Sequence, residues 1–451
     1  MNKNEYIVDD TIKILSLLKY GRVIPSLLDY WLDDEKWQCE LDNSSGSSAI
    51  IPELSNQKEI IGVEDLANTF LSMLDSYIVQ VMSNLKGEFK PVILFSGGVD
   101  STMIAWRFKE LGFDQVLLAN YSFGPGDTES ELAENIAGYL GLPFFRFYKS
   151  KTFDSSKILD NPRKIWNEPF CDYSTIPTIE LAYSVLENFT NKKLLIVDGT
   201  GADGCFGLGQ RYNNWKNLET IPKIFRRLIS YMYKTKSISL SKPFILEKLA
   251  RIARRSVNNS LESAMLAQNA LDGVAYSDKD IKLLEEMLTR WIDTSSFSDG
   301  YKRYIWSDIE LICEGIFAQK TKSVFTNNGH SVVYPFLSRQ IKNFAFYVSP
   351  FTLKECPKSL MKYSLERILP KHLIYREKSG FVESVPSVFY EKCFLLYLKE
   401  CLVEGPVSTL LEKRYLKDCI KKLENGKVLS PQVYNFLWAS VFTNRWYLSA
   451  V

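Results

Sequence analysis

The sequence is short of the residues that hold metals or staple small folds. It has two histidines, His330 and His372, and its eight cysteines (Cys39, Cys171, Cys205, Cys313, Cys356, Cys393, Cys401 and Cys419) form no C-x-x-C pair. That excludes the common structural zinc patterns. Scattered cysteines in a 451-residue chain read as reduced core thiols rather than a disulfide framework. Both histidines read as structural. No apolar run approaches the roughly 18 residues of a membrane span. The N-terminal "MNKNEYIVDDTIKILSLLKYGR" carries acids ahead of a short apolar run, unlike a secretory leader. Charge of one sign is also missing: 55 Lys and Arg face 53 Asp and Glu, for a net charge of +2. No global basic field advertises a nucleic acid or a lipid surface. The expectation is a cytoplasmic protein with no nucleic-acid partner and no membrane span.

What is present is an ordinary globular composition with length enough for two domains and a short appendage. Residues 1–60 read as the appendage, because a helical "DDTIKILSLLKYG" is followed by a Ser-, Asn- and Pro-rich stretch at 41–57. Leu66, Phe70, Leu74 and Ile78 recur every four residues and predict a helix ending near Gly87. Then "PVILF", "QVLLANYSF", "PFFRFYKS" and "KKLLIVDG" read as strands separated by helical segments. Alternating strand and helix implies right-handed crossovers and an α/β fold, a parallel sheet with helices on both faces, over residues 61–215. From 216 to 451 the strand pattern fades, and a mostly helical C-terminal region is expected to complete the active site.

The chemistry begins at "FSGGVDS", residues 95–101, between "PVILF" and an amphipathic helix. Parallel sheets bind ligands at the carboxyl ends of their strands. Gly97 and Gly98 let backbone amides approach an anion closely, and Ser96 and Ser101 add hydroxyl donors. The helix that follows aims its free amides and positive dipole end at the same point. Asp100 is repelled by phosphate unless a cation lies between, and Mg²⁺ commonly bridges carboxylate and phosphate oxygens. A Gly-Gly turn with Asp or Ser as helix cap is the plainer alternative. The strand before, the helix after and the flanking hydroxyls favour phosphate.

This loop resembles the ATP-binding loop of the N-type ATP pyrophosphatases, which cleave ATP between its α- and β-phosphates. Three further stretches point within that superfamily. "VDGTGADGCFGLGQRY" (197–212) resembles the GEGADE-x-x-GGY loop of asparagine synthetases, "GHSVVYPFLSRQIKNFAF" their segment with PFLD, and "LPKHLIYREKSGF" their LP-x-x-I-x-x-R-x-K-x-GF. "ESELAENIAGYLGLPF" matches the family's helix after the second strand. Order and spacing agree over roughly residues 60–400.

The resemblance implies an adenine nucleotide alpha hydrolase-like fold and an AMP-forming carbon–nitrogen ligase. A carboxylate is adenylated by ATP with release of pyrophosphate, and an amine or ammonia then displaces AMP. Asp100 and Asp203 become ligands of Mg²⁺. Gly199 and Gly201 let the second loop approach substrate. Lys378 stabilises the adenylation transition state, with Arg376 supporting it. Glu129 and Asp172 match commonly acidic positions, although a helix cap or turn explains each equally well.

The departures carry information too. The first glutamate of GEGADE is Thr200 here and the second is Gly204. The family glutamate handles the protons of the amine, a task a threonine hydroxyl cannot perform near neutral pH. β-Lactam synthetases also change this position, to tyrosine. The chain begins Met1-Asn2 rather than Met-Cys, and the residues before the loop are too few for a glutaminase domain. "LLKYGRVIP" resembles the segment joining glutaminase to synthetase, so a remnant of that linker is expected. The amine then comes from solution, from a separate glutaminase or peptide or carrier partner, or from the substrate itself. The last option resembles β-lactam synthetases and the macrolactam cyclases of lasso-peptide pathways. A non-catalytic nucleotide-binding module is the rival of another class, and a tRNA-modifying relative is disfavoured by the missing cysteine pairs and basic face. Residues 222–256 are basic with one acid, Glu247. They read as solvated helical faces, with a dock for an acidic peptide, carrier or anionic lipid surface as the functional alternative.

Overall fold

The computed structural model describes residues 10–25, 62–85, 89–150, 154–190, 192–222, 224–225, 261–269, 271, 273–352, 358–376 and 386–449. The chain opens with α1 (Asp10–Tyr20) and α2 (Val63–Asn84). It then alternates β1 (Phe89–Leu94), α3 (Val99–Glu110), β2 (Leu117–Ser122), α4 (Thr128–Leu140), β3 (Phe144–Tyr148), α5 (Thr175–Asn188) and β4 (Lys193–Val197). Short α6 (Ala202–Phe206) and α7 (Gly209–Glu219) follow. The helical region contributes α8 (Gly300–Asp308), a wide π-helical segment Ile309–Ala318, and α9 (Gln319–Thr326). Next come β5 (Ser331–Val333), α10 (Arg339–Thr352), α11 (Ser359–Leu365) and the long α12 (Pro431–Leu448).

Among the described residues the five strands are all parallel, in the order β3-β2-β1-β4-β5. The expected α/β architecture is therefore present. Successive strand residues feed opposite cores. Val92, Leu117, Ala119, Leu194 and Ile196 join one core, while Ile93, Leu118, Leu195 and Val197 join the other. This explains why the strands read as continuous apolar runs. In α2, Leu66, Phe70, Leu74 and Ile78 are buried as the spacing requires. Arg107 forks onto Asp75 at 2.7 and 2.8 Å and ties α3 to α2.

Two features extend beyond the sequence reading. β5 lies in the stretch read as helical, pairing with β4 from Leu195↔Ser331 to Val197↔Val333. The sheet thus recruits a strand from far outside residues 61–215. Its three residues are too few for a periodicity signal. In the N-terminal stretch, Leu15, Leu17, Leu18 and Tyr20 of α1 are fully buried in the core that holds Trp438 and Phe442 of α12. Lys19 of α1 pairs with Glu285 at 3.0 Å. Among the described residues no helix is long and apolar enough to cross a membrane.

Candidate active site

Strand order reverses between β1 and β4, which are paired along Phe89↔Lys193 to Ile93↔Val197. At such a switch point the loops leaving the two carboxyl ends splay apart and open a crevice. Here those loops are the serine–glycine loop after β1 and the glycine-rich loop after β4. A cavity of about 970 Å³ opens at this edge, with Ser96, Asp100, Asp198, Thr200 and Asp203 among its walls.

The first loop is held by its own hydroxyls. Ser96 Oγ accepts from the Gly98 amide at 3.3 Å, and Ser101 Oγ accepts from the Ser96 amide at 3.3 Å. Gly97 has φ +65°, and a Cβ there would lie 2.7 Å from Ala133 Cα of α4. Only glycine meets both demands. Gly98 is the residue before α3, whose first turn contains Asp100 and Ser101. Gly199, in the second loop, faces the first so closely that a Cβ there would sit 3.3 Å from Asp100 Cβ. Gly201 has φ +102° and abuts Leu337. The structure thus brings Ser96, Gly97, Gly98, Asp100, Ser101, Gly199, Thr200, Gly201 and Asp203 to one edge.

Asp100 and Asp203 converge on a cation that sequence reasoning missed. Lys358 Nζ lies 2.6 Å from Asp100 Oδ2 and 2.8 Å from Asp203 Oδ1. Burial works against this ammonium, but the two carboxylates outweigh it and raise its pKa above the ordinary lysine value. Lys358 holds a left-handed backbone, φ 60°, immediately before α11, and its amide donates to Phe206 O at 3.0 Å. Among the described residues only Ser296 shares that property among non-glycines. Nothing in "ECPKSLMK" distinguishes this lysine from a solvated one. One ammonium contacts both acids, so the two carboxylates lie within reach of a single cation, and Lys358 Nζ fills that point.

Arg376 donates to Gly97 O at 3.4 Å and pairs with Glu129 at 2.8 Å. Glu129 is therefore not the cap of α4; Asp127 is, accepting from the Ser130 amide at 3.3 Å. Asp172 accepts from the Ser174 amide and hydroxyl, forming the expected turn, and also from Lys320 Nζ at 2.7 Å. Burial raises the Asp172 carboxyl, but Lys320 and Ser174 bring it below the usual range. His330 accepts from the Leu194 amide through Nδ1, a structural contact in keeping with the sequence reading. Lys378 and residues 226–256 lie outside the described residues.

The second loop shows what replaces the two absent glutamates. The Thr200 amide and hydroxyl both donate to Asp198 Oδ1, each at 2.9 Å. Burial raises the Asp198 pKa, opposed by those bonds, by Thr321 and by Lys320. At position 204 a Cβ would meet Cys313 Sγ at 2.8 Å and Asp308 Oδ2 at 3.4 Å. The π-helical segment and the end of α8 therefore occupy the space a longer side chain needs. Asp308 is pushed up to about 6 by desolvation, with Arg211 opposing and Asp203 adding to the rise.

A family model described as Asparagine synthase matches residues 80–447. No curated protein matches the chain.

Proposed function

The chain belongs to the asparagine synthase family, a family of ATP-dependent amide ligases, and on that premise we propose that it activates a carboxylate as its acyl adenylate, releases pyrophosphate and passes the acyl group to an amine or ammonia. The observation that supports this reading is the convergence of Asp100, Asp203 and Lys358 beside the glycine loop at the switch point of the sheet. Charge builds on the α-phosphorus and the departing pyrophosphate, so catalysis there is positioning plus cationic stabilisation.

The residues divide the work. Amides of Gly97 and Gly98 and the hydroxyls of Ser96 and Ser101 bind phosphate oxygens. Asp100 and Asp203 would hold Mg²⁺ through the lone pairs that the Lys358 ammonium leaves open, and the ion would neutralise phosphate charge. Lys358, which neighbours both carboxylates, supplies positive charge toward the pyrophosphate end, and Lys378, as the family resemblance implies, stabilises the adenylation transition state. Arg376 fixes the loop through Gly97 O and Glu129. Leu208, Ile312 and Phe317 line the cavity beyond Thr200. These apolar walls favour a carboxylate bulkier than aspartate, including a peptide that supplies its own amine. A cytoplasmic location and a partner delivering nitrogen or a peptide belong to the same proposal.

The test is product analysis. The purified chain is incubated with ATP, Mg²⁺ and a panel of amino acids and short peptides. AMP and pyrophosphate in equal amounts are expected. Formation of ADP and phosphate instead excludes adenylation, and ATP binding without turnover on any carboxylate supports the non-catalytic module.

A further inference from the structure

The proposed reaction needs a proton acceptor for the attacking amine, and Thr200 cannot be one. The cavity's other carboxylates are committed elsewhere. Asp100 and Asp203 face the Lys358 ammonium, Glu129 pairs with Arg376, and Asp127 caps α4. Asp308 lies beneath Gly204 and is only 6 % exposed. Asp198 is different. It is the first residue past β4, its amide is anchored to Val333 O of β5 at 3.1 Å, and it stays half-buried in the cavity wall. The next residue, Gly199, abuts Asp100, so the Asp198 carboxylate stands one residue from the phosphate-binding edge.

We propose that Asp198 is the general base of the amide-forming step, with Thr200 positioning its carboxylate by the paired bonds to Oδ1. The acid and hydroxyl functions of this loop are thus distributed over positions 198 and 200 rather than lost. The amine lone pair forms the C–N bond at the acyl carbon. The bond from that carbon to the adenylate oxygen breaks, and its electron pair leaves with AMP. One N–H proton passes to the Asp198 carboxylate and is later returned to water. A carboxylate whose pKa lies above the ordinary aspartate value is a stronger acceptor. The charged and titratable groups acting on it are Lys320 of α9 and Tyr334 after β5, with Thr321 of α9 as a hydrogen-bond donor.

This inference rests on the ligase reading, and the experiment separates the two. The full chain and its Asp198→Asn, Asp198→Glu and Asp308→Asn variants, each checked for fold by circular dichroism and thermal melting, are given ATP, Mg²⁺ and the same carboxylate panel. The nucleophile is either ammonia or n-butylamine, which must shed a proton as the amide forms, or hydroxylamine, which attacks adenylates without a base and yields a hydroxamate read as its coloured iron(III) complex. For Asp198→Asn we expect hydroxamate formation within a few-fold of the parent but amide formation down by about 100-fold or more, with partial rescue in Asp198→Glu. Equal loss of both products, or no loss of either, overturns the assignment, as does the same split appearing in Asp308→Asn instead. A parent chain that forms hydroxamate but no amide from either amine also overturns it. A parent chain that releases no pyrophosphate with any carboxylate overturns the ligase reading itself.

Discussion

The ammonium of Lys358 contacts Asp100, 258 residues away in sequence, through both carboxylate oxygens at 2.6 and 2.7 Å. The same nitrogen reaches Asp203 at 2.8 Å. A cation wedged between the carboxylates of two loops does two jobs. It holds the loops after β1 and β4 in one geometry, and on the proposed ligase reading it places positive charge beside the phosphates. Because the lysine adopts a left-handed backbone to get there, the fold spends conformational strain on its position.

Replacing Lys358 by Met keeps the stem and removes the charge. Pyrophosphate release is expected to fall by about 10²-fold or more, the scale on which removing one preorganised electrostatic contact acts. Lys358→Arg should recover part of it. Steady-state assays of pyrophosphate check this, and a parent-like rate in Lys358→Met excludes the role.

Asp100→Asn and Asp203→Asn should raise the Mg²⁺ concentration needed for half-maximal turnover and lower the maximal rate. Asp100→Asn is expected to have the larger effect, because Asp100 sits in the first turn of α3 beside the glycine loop while the Asp203 side chain is largely exposed. Magnesium titrations of each variant measure it.

Gly97→Ala forces a Cβ onto the backbone of Ala133 at a positive φ. A loss of about 1–3 kcal/mol is expected from the backbone term alone, read as a lower thermal midpoint. Nucleotide affinity should fall with it, because the loop cannot relax without moving α4. Calorimetric titration with a non-hydrolysable ATP analogue reads the second effect.

Asp308 makes stability depend on pH with a definite sign. Its folded pKa, pushed up to about 6 by burial, lies above the ordinary aspartate value of about 3.9, so the native state binds the proton more tightly. Below the unfolded pKa both states are protonated and nothing is lost. As pH rises from about 4 to about 6 the native state must ionise a buried acid, and the cost approaches about 3 kcal/mol above that window. Asp308→Asn should therefore stabilise the protein at pH 7–8 and leave it unchanged below pH 4. Arg211, Asp203 and Cys313 surround the group and set its environment. Denaturant unfolding at pH 4, 6 and 8 supplies the comparison.

Much of this architecture is written locally. Leu66, Phe70, Leu74 and Ile78 mark one helix face by spacing alone, and "PVILF" and "KKLLIVDG" mark strands because a sheet covered on both sides admits no polar alternation. The glycine loop could be read because its demands are also local: a positive φ at Gly97 and a helix opening just beyond it. From these the sequence determined the α/β class and the loop at the carboxyl end of β1 with its Asp100, while Asp203 became its partner of interest only through the family resemblance.

The rest required the fold. β5 is three residues long and exists because β4 offers it a free edge; no short-range pattern announces it. Lys358 looks like any surface lysine until α11 carries it against two acids. Asp198 and Asp308 are ordinary aspartates in the sequence, and each gains its raised pKa only from desolvation by segments distant in the chain. Position 204 reads as a lost glutamate, yet Cys313 and Asp308 fill the space that side chain would need. Local periodicity and turn chemistry decide elements, because they act within a few residues. Charge pairing, burial and crowding between distant residues decide the site, because they arise only when the chain is closed.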